Sequence, residues 1–328
     1  MLSAEECRFF AEAEPWGLIL FTRNAVNREQ LRRLIDDFRD AVGRPEAPVL
    51  IDQEGGRVQR LRRPFAPDYP PAGRIGALFH QDQDQGERAA WLHARAIAGD
   101  LRSLGITVNC IPMLDICHQG AHEIVGDRAY SSEVEAIIRL GQASASGLSA
   151  GGMVPVAKHI PGHGRARVDS HESLPEVAVS HAELREDFEP FVRLAHLPVA
   201  MTAHVLYTAL DDARPATLSE RVIDDTIRQE IGFDGLLVSD DLSMGALEGG
   251  LNARTRAALA AGCDIALHCN GDLREMQDVA AASPPLAERS LERARAALVW
   301  PREEPADLPA IRAELAGILD MPELNDFA

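Results

Sequence analysis

The chain has 328 residues, 46% of them apolar and 26% charged, which excludes an intrinsically disordered or fibrous protein. A chain of this length fills a core without disulfide or metal staples. Its 33 Lys and Arg against 51 Asp and Glu give a formal charge of −18, which disfavours nucleic-acid backbones and anionic membrane surfaces but not an anionic small molecule in a locally basic cleft.

The amino terminus, MLSAEECRFFAEAEPWG, carries acidic residues where a secretory signal needs basic ones, and no apolar core segment follows. The longest apolar runs, WGLILF and ALVW, fall far short of the roughly 20 residues of a membrane-spanning helix. Cys7, Cys110, Cys117, Cys263 and Cys269 are odd in number and include no C-x-x-C pair, so reduced thiols in a cytoplasmic protein are expected.

In chain order, strand-like apolar runs fall at Trp16–Phe21, Ala47–Asp52, Ile106–Ile111, Val154–Lys158, Pro198–Ala203, Gly235–Asp240 and Asp264–His268. Helical periodicity fills about 27–42, 86–104, 131–150, 181–196, 218–231, 251–262 and 272–282, with capping-box signals at Asn27/Gln30, Ser180/Glu183 and Thr217/Glu220. Strands apolar at nearly every position are buried on both faces, and this many βα units predict a single-domain (β/α)8 barrel of TIM type. Only seven strands are evident where eight are required. A carboxy-terminal helical tail is expected from about residue 286, with no linker or internal repeat dividing the rest.

The loops after the strands of such a barrel converge on one face, and four of them carry ionisable groups. These are Asp52 to Arg60, Lys158 to Gly164, Thr202 to His204, and Ser239 to Asp241. In Asp169-Ser170-His171, a carboxylate two residues from an imidazole can hold one ring nitrogen and favour the protonated ring, as a general acid needs. Alternation along a strand sends Asp240 and Asp241 to opposite faces. Asp241 is placed to cap a following helix, which leaves Asp240 as the chemical group, an inward carboxylate suited to covalent displacement at a saturated carbon.

Two other patterns lead elsewhere. Gly147-Leu148-Ser149-Ala150-Gly151 matches a nucleophile elbow, but here the helix precedes it and the strand follows, the reverse of what that motif requires. His159 and His163 have the spacing of zinc ligands on a helix, but Pro161 and Gly162 deny the helix. No metal and no cofactor is therefore expected, and no dinucleotide or phosphate-loop motif is present.

Lys158-His159-Ile160-Pro161-Gly162-His163-Gly164 joined to Asp169-Ser170-His171 resembles the cytosolic bacterial β-N-acetylhexosaminidases of glycoside hydrolase family 3. The resemblance runs in order from Gly17–Asn24 through Ile51–Arg60, Gly126–Arg128, Met201–His204 and Ser239–Met244 to Ala261–Asp264. It implies a (β/α)8 barrel and a retaining exo-hydrolase that removes terminal β-linked N-acetylglucosamine, typically from muropeptide fragments in cell-wall recycling. By resemblance, Asp240 is the nucleophile and His171 the acid/base, oriented by Asp169. Asp52, Arg60, Arg128, Lys158 and His159 fall on sugar-holding positions, and His204 is placed near the same pocket by its strand end. The expected partner is a carbohydrate, with no nucleic acid and no membrane. The rival readings are a family-3 glycosidase acting on unacetylated sugars, a metal-dependent hydrolase using His159, His163 and His171, and a silent sugar-binding protein.

Overall fold

The computed structural model describes residues 1–120 and 122–324. Seven parallel strands are hydrogen-bonded in chain order: β1 (Leu18–Leu20), β2 (Val49–Ile51), β3 (Val108–Asn109), β4 (Val154–Ile160), β5 (Val199–Thr202), β6 (Leu236–Asp241) and β7 (Ile265–Leu267). Each coincides with an apolar run expected as a strand, and β4 and β6 run on past their expected ends to Ile160 and Asp241. A doubly wound sheet reverses its strand order at a switch point, and no reversal occurs here, so the architecture is a TIM-barrel-like α/β fold. Among the described residues the parallel sheet has seven strands, and an eighth is not seen.

By contact the chain divides into two compact units, one formed by Met1–Pro112, Gln142–Pro155 and the chain from Trp300 onward, the other by Met113–Gly141 and Val156–Val299. The first contains β1, β2, β3 and the opening residues of β4, in register Leu18↔Val49, Leu50↔Val108 and Val108↔Val154. Val49, Leu50 and Ile51 are all buried, as a strand covered on both faces requires. The helix Arg28–Ala41 presents Leu31, Leu34, Ile35 and Phe38 to the core, one apolar stripe at helical spacing. Asn27 caps it by accepting from Gln30 N, but the Gln30 carboxamide oxygen accepts from Val26 N, so the expected capping box is only half formed. Two further helices, Ala4–Ala13 and Ala72–Gln81, were not expected from the sequence.

The nucleophile-elbow look-alike is the end of the helix Val134–Ala150. A Cβ on Gly147 would stand 2.3 Å from the carbonyl oxygen of Trp91, so the glycine permits close approach to the helix Gln83–Arg102. The last helix, Leu308–Leu319, is held on Gln83–Arg102 by Arg312, which bonds the buried carboxylate of Asp100, itself accepting from Tyr69 Oη at 2.8 Å.

The second unit contains the remainder of β4 with β5, β6 and β7. Asp264, just before β7, is almost fully buried and accepts from Arg228 Nη2 (2.9 Å), Leu237 N (2.8 Å), Ser290 Oγ (2.6 Å) and Arg293 Nη1 (3.1 Å). That cluster fastens the helix Glu288–Val299 beneath β6. The expected capping box at Ser180/Glu183 is present on the helix His181–Arg193. The one expected at Thr217/Glu220 is not. The segment Val222–Glu230 is a wide helix of π type, Ser219 Oγ accepts from Val222 N instead, and the Thr217 hydroxyl is buried in a different network.

Candidate active site

Within the second unit, the chemistry-bearing residues collect where β4, β5 and β6 end. Along β4 the register against β5 shifts between Lys158 and Ile160. Lys158 lies buried at 2% exposure, while the His159 side chain keeps 11%. His159 stands beside Asp115, on the segment that follows Met113, which bridges to Lys158. Asp115 is wholly buried. It takes the His159 ring at Nδ1 (2.6 Å) and accepts from His159 N (3.2 Å) and His163 N (2.6 Å). Burial by itself would raise this carboxyl, but the His159 ring and these hydrogen bonds outweigh burial and hold it at about 2. His163 packs against His159 with ring centroids 5.6 Å apart, so the Pro-Gly turn brings the two rings together without a helix. Burial, reinforced by the nearby His159, pushes the His163 ring down to about 4, and its Nε2 meets Ser170 Oγ at 3.3 Å. Among the described residues no group of three or more such side chains is arranged to hold a metal ion.

Asp240 lies at the end of β6. Burial disfavours its ionisation, but the nearby His159 and Lys158 and a hydrogen bond from Asp241 N (2.8 Å) prevail and hold the carboxyl below the usual range. It is a part-buried carboxylate held in its ionised form. Asp241 caps, as alternation along the strand suggested, but it caps a turn: it accepts from Ser243 N (3.0 Å), Ser243 Oγ (2.6 Å) and Cys269 N (3.1 Å), and the next helix starts only at Leu251.

The Asp169–His171 pair forms at 2.8 Å between Asp169 Oδ1 and His171 Nδ1, and the same oxygen accepts from His171 N. Burial of Asp169 works against its charge, but these bonds lower its carboxyl. The His171 ring is 64% exposed. Its loop is latched to the turn after β6 by two backbone bonds, Gly245 N to His171 O and Ala246 N to Ser170 O, both 3.1 Å. Arg165 and His118 converge on the buried Asp187 of helix His181–Arg193, at 2.5 and 2.7 Å, and pin the start of the same loop. Arg128 donates to Ile124 O at 3.0 Å, and its charge is felt at His163.

His204 departs from its expected role. Its ring is fully buried, with Nδ1 2.7 Å from Thr217 Oγ1 and Nε2 3.0 Å from the carbonyl oxygen of Asp241, so neither nitrogen is left for a sugar. In the first unit, Asp52 and Arg60 pair at 3.1 Å, and the Arg60 guanidinium lies 5.1 Å from the Phe21 ring centroid. The sequence did not single out Asp115, and it gave Thr202 and Thr217 no part in the site, reading Thr217 as a helix cap. For Asp115 a weaker signal existed, an acid in the loop a few residues beyond the third strand.

The model of the glycosyl hydrolase family 3 N-terminal domain matches residues 3–295 without a break. The chain belongs to glycoside hydrolase family 3. As a member of family 3 it is a glycoside hydrolase, and the match spans both units and ends within the helix Glu288–Val299. The β-hexosaminidase of Alkalilimnicola ehrlichii is 40% identical over 274 residues, 82% of this chain and 78% of its own length. That of Idiomarina loihiensis is 36% identical over 296 residues, 88% of each. Among solved structures, NagZ from Neisseria gonorrhoeae in complex with N-trifluoroacetyl-D-glucosamine superposes with a TM-score of 0.83 at 32% identity, covering 98% of this family-3 chain and 94% of the other.

Proposed function

We propose that the protein is a retaining exo-β-N-acetylglucosaminidase that removes terminal N-acetylglucosamine from muropeptide fragments in the cytoplasm. The observation that carries this reading is the part-buried, ionised Asp240 carboxylate, whose strand runs into the turn that latches the Asp169–His171 loop. The β-hexosaminidase relatives and the N-trifluoroacetyl-glucosamine complex of the similar structure support the choice of sugar. In the first step an Asp240 oxygen attacks the anomeric carbon and forms an ester. The bond to the leaving oxygen breaks, and His171 supplies the proton that oxygen takes. In the second, the neutral His171 ring takes a proton from water, whose oxygen attacks the anomeric carbon and frees Asp240.

Lys158, His159 and Arg128 supply donors to hydroxyl or acetamido oxygens that would otherwise be buried unpaired. Asp52, oriented by Arg60, accepts from a sugar hydroxyl in the role that the family resemblance implies for it. No cofactor enters the reaction. We read the seven strands as a (β/α)8-type barrel whose remaining place is filled by irregular chain, working as one catalytic domain with a helical tail. The unbroken family match supports this.

Mass spectrometry of protein incubated with a slow fluorinated N-acetylglucosaminide tests the scheme, with a glycosyl adduct expected on the peptide containing Asp240. Asp240→Ala is expected to lower kcat on nitrophenyl β-N-acetylglucosaminide by at least about a thousandfold while the protein remains folded. Full turnover by that variant, or faster cleavage of the β-glucoside than of the N-acetylglucosaminide by the wild type, overturns the reading.

A further inference from the structure

Beneath Asp240 lies a polar cluster that the mechanism does not use. Thr202, His204 and Thr217 are each 0% exposed, and each makes hydrogen bonds only within the protein. Counting hydrogens narrows the directions of these bonds to one choice, at the Thr217 hydroxyl. His204 Nε2 faces the carbonyl oxygen of Asp241, which can only accept, so that nitrogen carries a hydrogen. Thr202 Oγ1 accepts from Asp240 N at 3.3 Å and is free to donate its own hydrogen to Thr217 Oγ1 at 2.7 Å. The Thr217 hydroxyl then has one hydrogen and two acceptors in reach, His204 Nδ1 at 2.7 Å and the Ala203 carbonyl oxygen at 3.1 Å.

Burial disfavours a charged ring here, against the pull of Asp240 and of Asp241. In a neutral ring with hydrogen on Nε2, Nδ1 is bare, and a bare buried acceptor costs free energy unless Thr217 donates to it. The bonds then close into one directed circuit: Asp240 N–H to Thr202, Thr202 O–H to Thr217, Thr217 O–H to His204 Nδ1, and His204 Nε2–H to Asp241 O. It begins on the peptide N–H that enters Asp240 and ends on the carbonyl that leaves Asp241, the two ends of the dipeptide that bears the Asp240 carboxylate.

We propose that Thr217 is a positioning residue for the glycosidase reaction: its hydroxyl locks His204 in the Nε2–H tautomer and thereby ties down the backbone at both ends of the Asp240-Asp241 dipeptide, which aims the Asp240 carboxylate. The inference rests on Asp240 being the nucleophile. It gives His204 a role as a strut under the nucleophile rather than a sugar contact.

Ring 15N spectra of the wild type and steady-state kinetics of two variants test this. The spectra are expected to show His204 as the Nε2–H tautomer at neutral pH. Thr217→Val, close in volume but unable to donate, is expected to lose about tenfold in kcat with KM changed less than about twofold, and to show a mixed tautomer. Thr217→Ser is expected to restore kcat and the tautomer. A wild-type ring that is cationic or protonated on Nδ1, a folded valine variant with unchanged kcat, or a serine variant as impaired as valine overturns the inference. The spectra require no substrate and no variant, so they decide even if Thr217→Val fails to fold. A wild type without activity on the N-acetylglucosaminide overturns the activity reading instead.

Discussion

Asp115 receives three hydrogen bonds at full burial and is the anion around which His159 and His163 are arranged. His163 in turn sets an acid limit on stability. Its ring titrates at about 4 in the folded protein against 6.5 for an ordinary histidine. The unfolded chain therefore binds more protons between those values, and stability rises with pH across that window. Acidification from pH 6.5 to 4 is expected to cost about 3 kcal/mol through this one ring, and His163→Gln to remove that part of the slope in urea titrations followed along pH. An equal slope in both proteins would show that the ring is already protonated in the fold. Asp115 follows the same proton bookkeeping at lower pH, since its contribution is present above 3.8 and lost as pH falls toward about 2. Legibility at this scale depended on locality. Asp169 and His171 are two apart, so their pairing could be read from the sequence, whereas Asp115 meets His159 across 44 positions and Thr217 meets His204 only after a turn. A lone strand-end acid or hydroxyl reads equally well as a cap, and Thr217 was misread in that way.

At the scale of elements, the nucleophile strand and the acid/base loop are joined by the turn at Gly245. A Cβ there would stand 2.7 Å from His171 O and 2.8 Å from Glu172 O, both backbone atoms with little freedom to yield. Gly245→Ala is expected to push the loop off the turn and lower kcat by about ten- to a hundredfold, with a small change in melting temperature because the loop is exposed. A crystal structure of the variant with the two latch bonds intact and normal turnover would refute the coupling. The seven parallel strands were legible because each contains or lies within a short apolar run, with polar residues gathered mainly at its end. The helix Ala72–Gln81 was not, since Pro71 caps it without a side-chain bond and two glycines interrupt its face. Neither was the π-type turn of Val222–Glu230, whose periodicity in sequence imitates an ordinary helix.

For the molecule as a whole, the charge of −18 acts on substrate encounter rather than on the fold. A muropeptide carries peptide carboxylates, while a nitrophenyl N-acetylglucosaminide is neutral. Added salt screens the long-range repulsion of the former, so kcat/KM for the peptide-bearing substrate is expected to rise with ionic strength and that for the neutral one to stay level. Parallel curves for the two would place a local basic field at the entrance that cancels the net charge. Finally, the latch between the acid/base loop and the β6 turn is made of peptide groups alone, and Glu172, Ser173 and Leu174 beside it are exposed and add no side-chain bond to it. Mutational drift at those three positions can therefore alter what borders the departing half of a substrate without disturbing the proton donor, giving this scaffold a stretch of chain where new preferences can evolve at little catalytic risk.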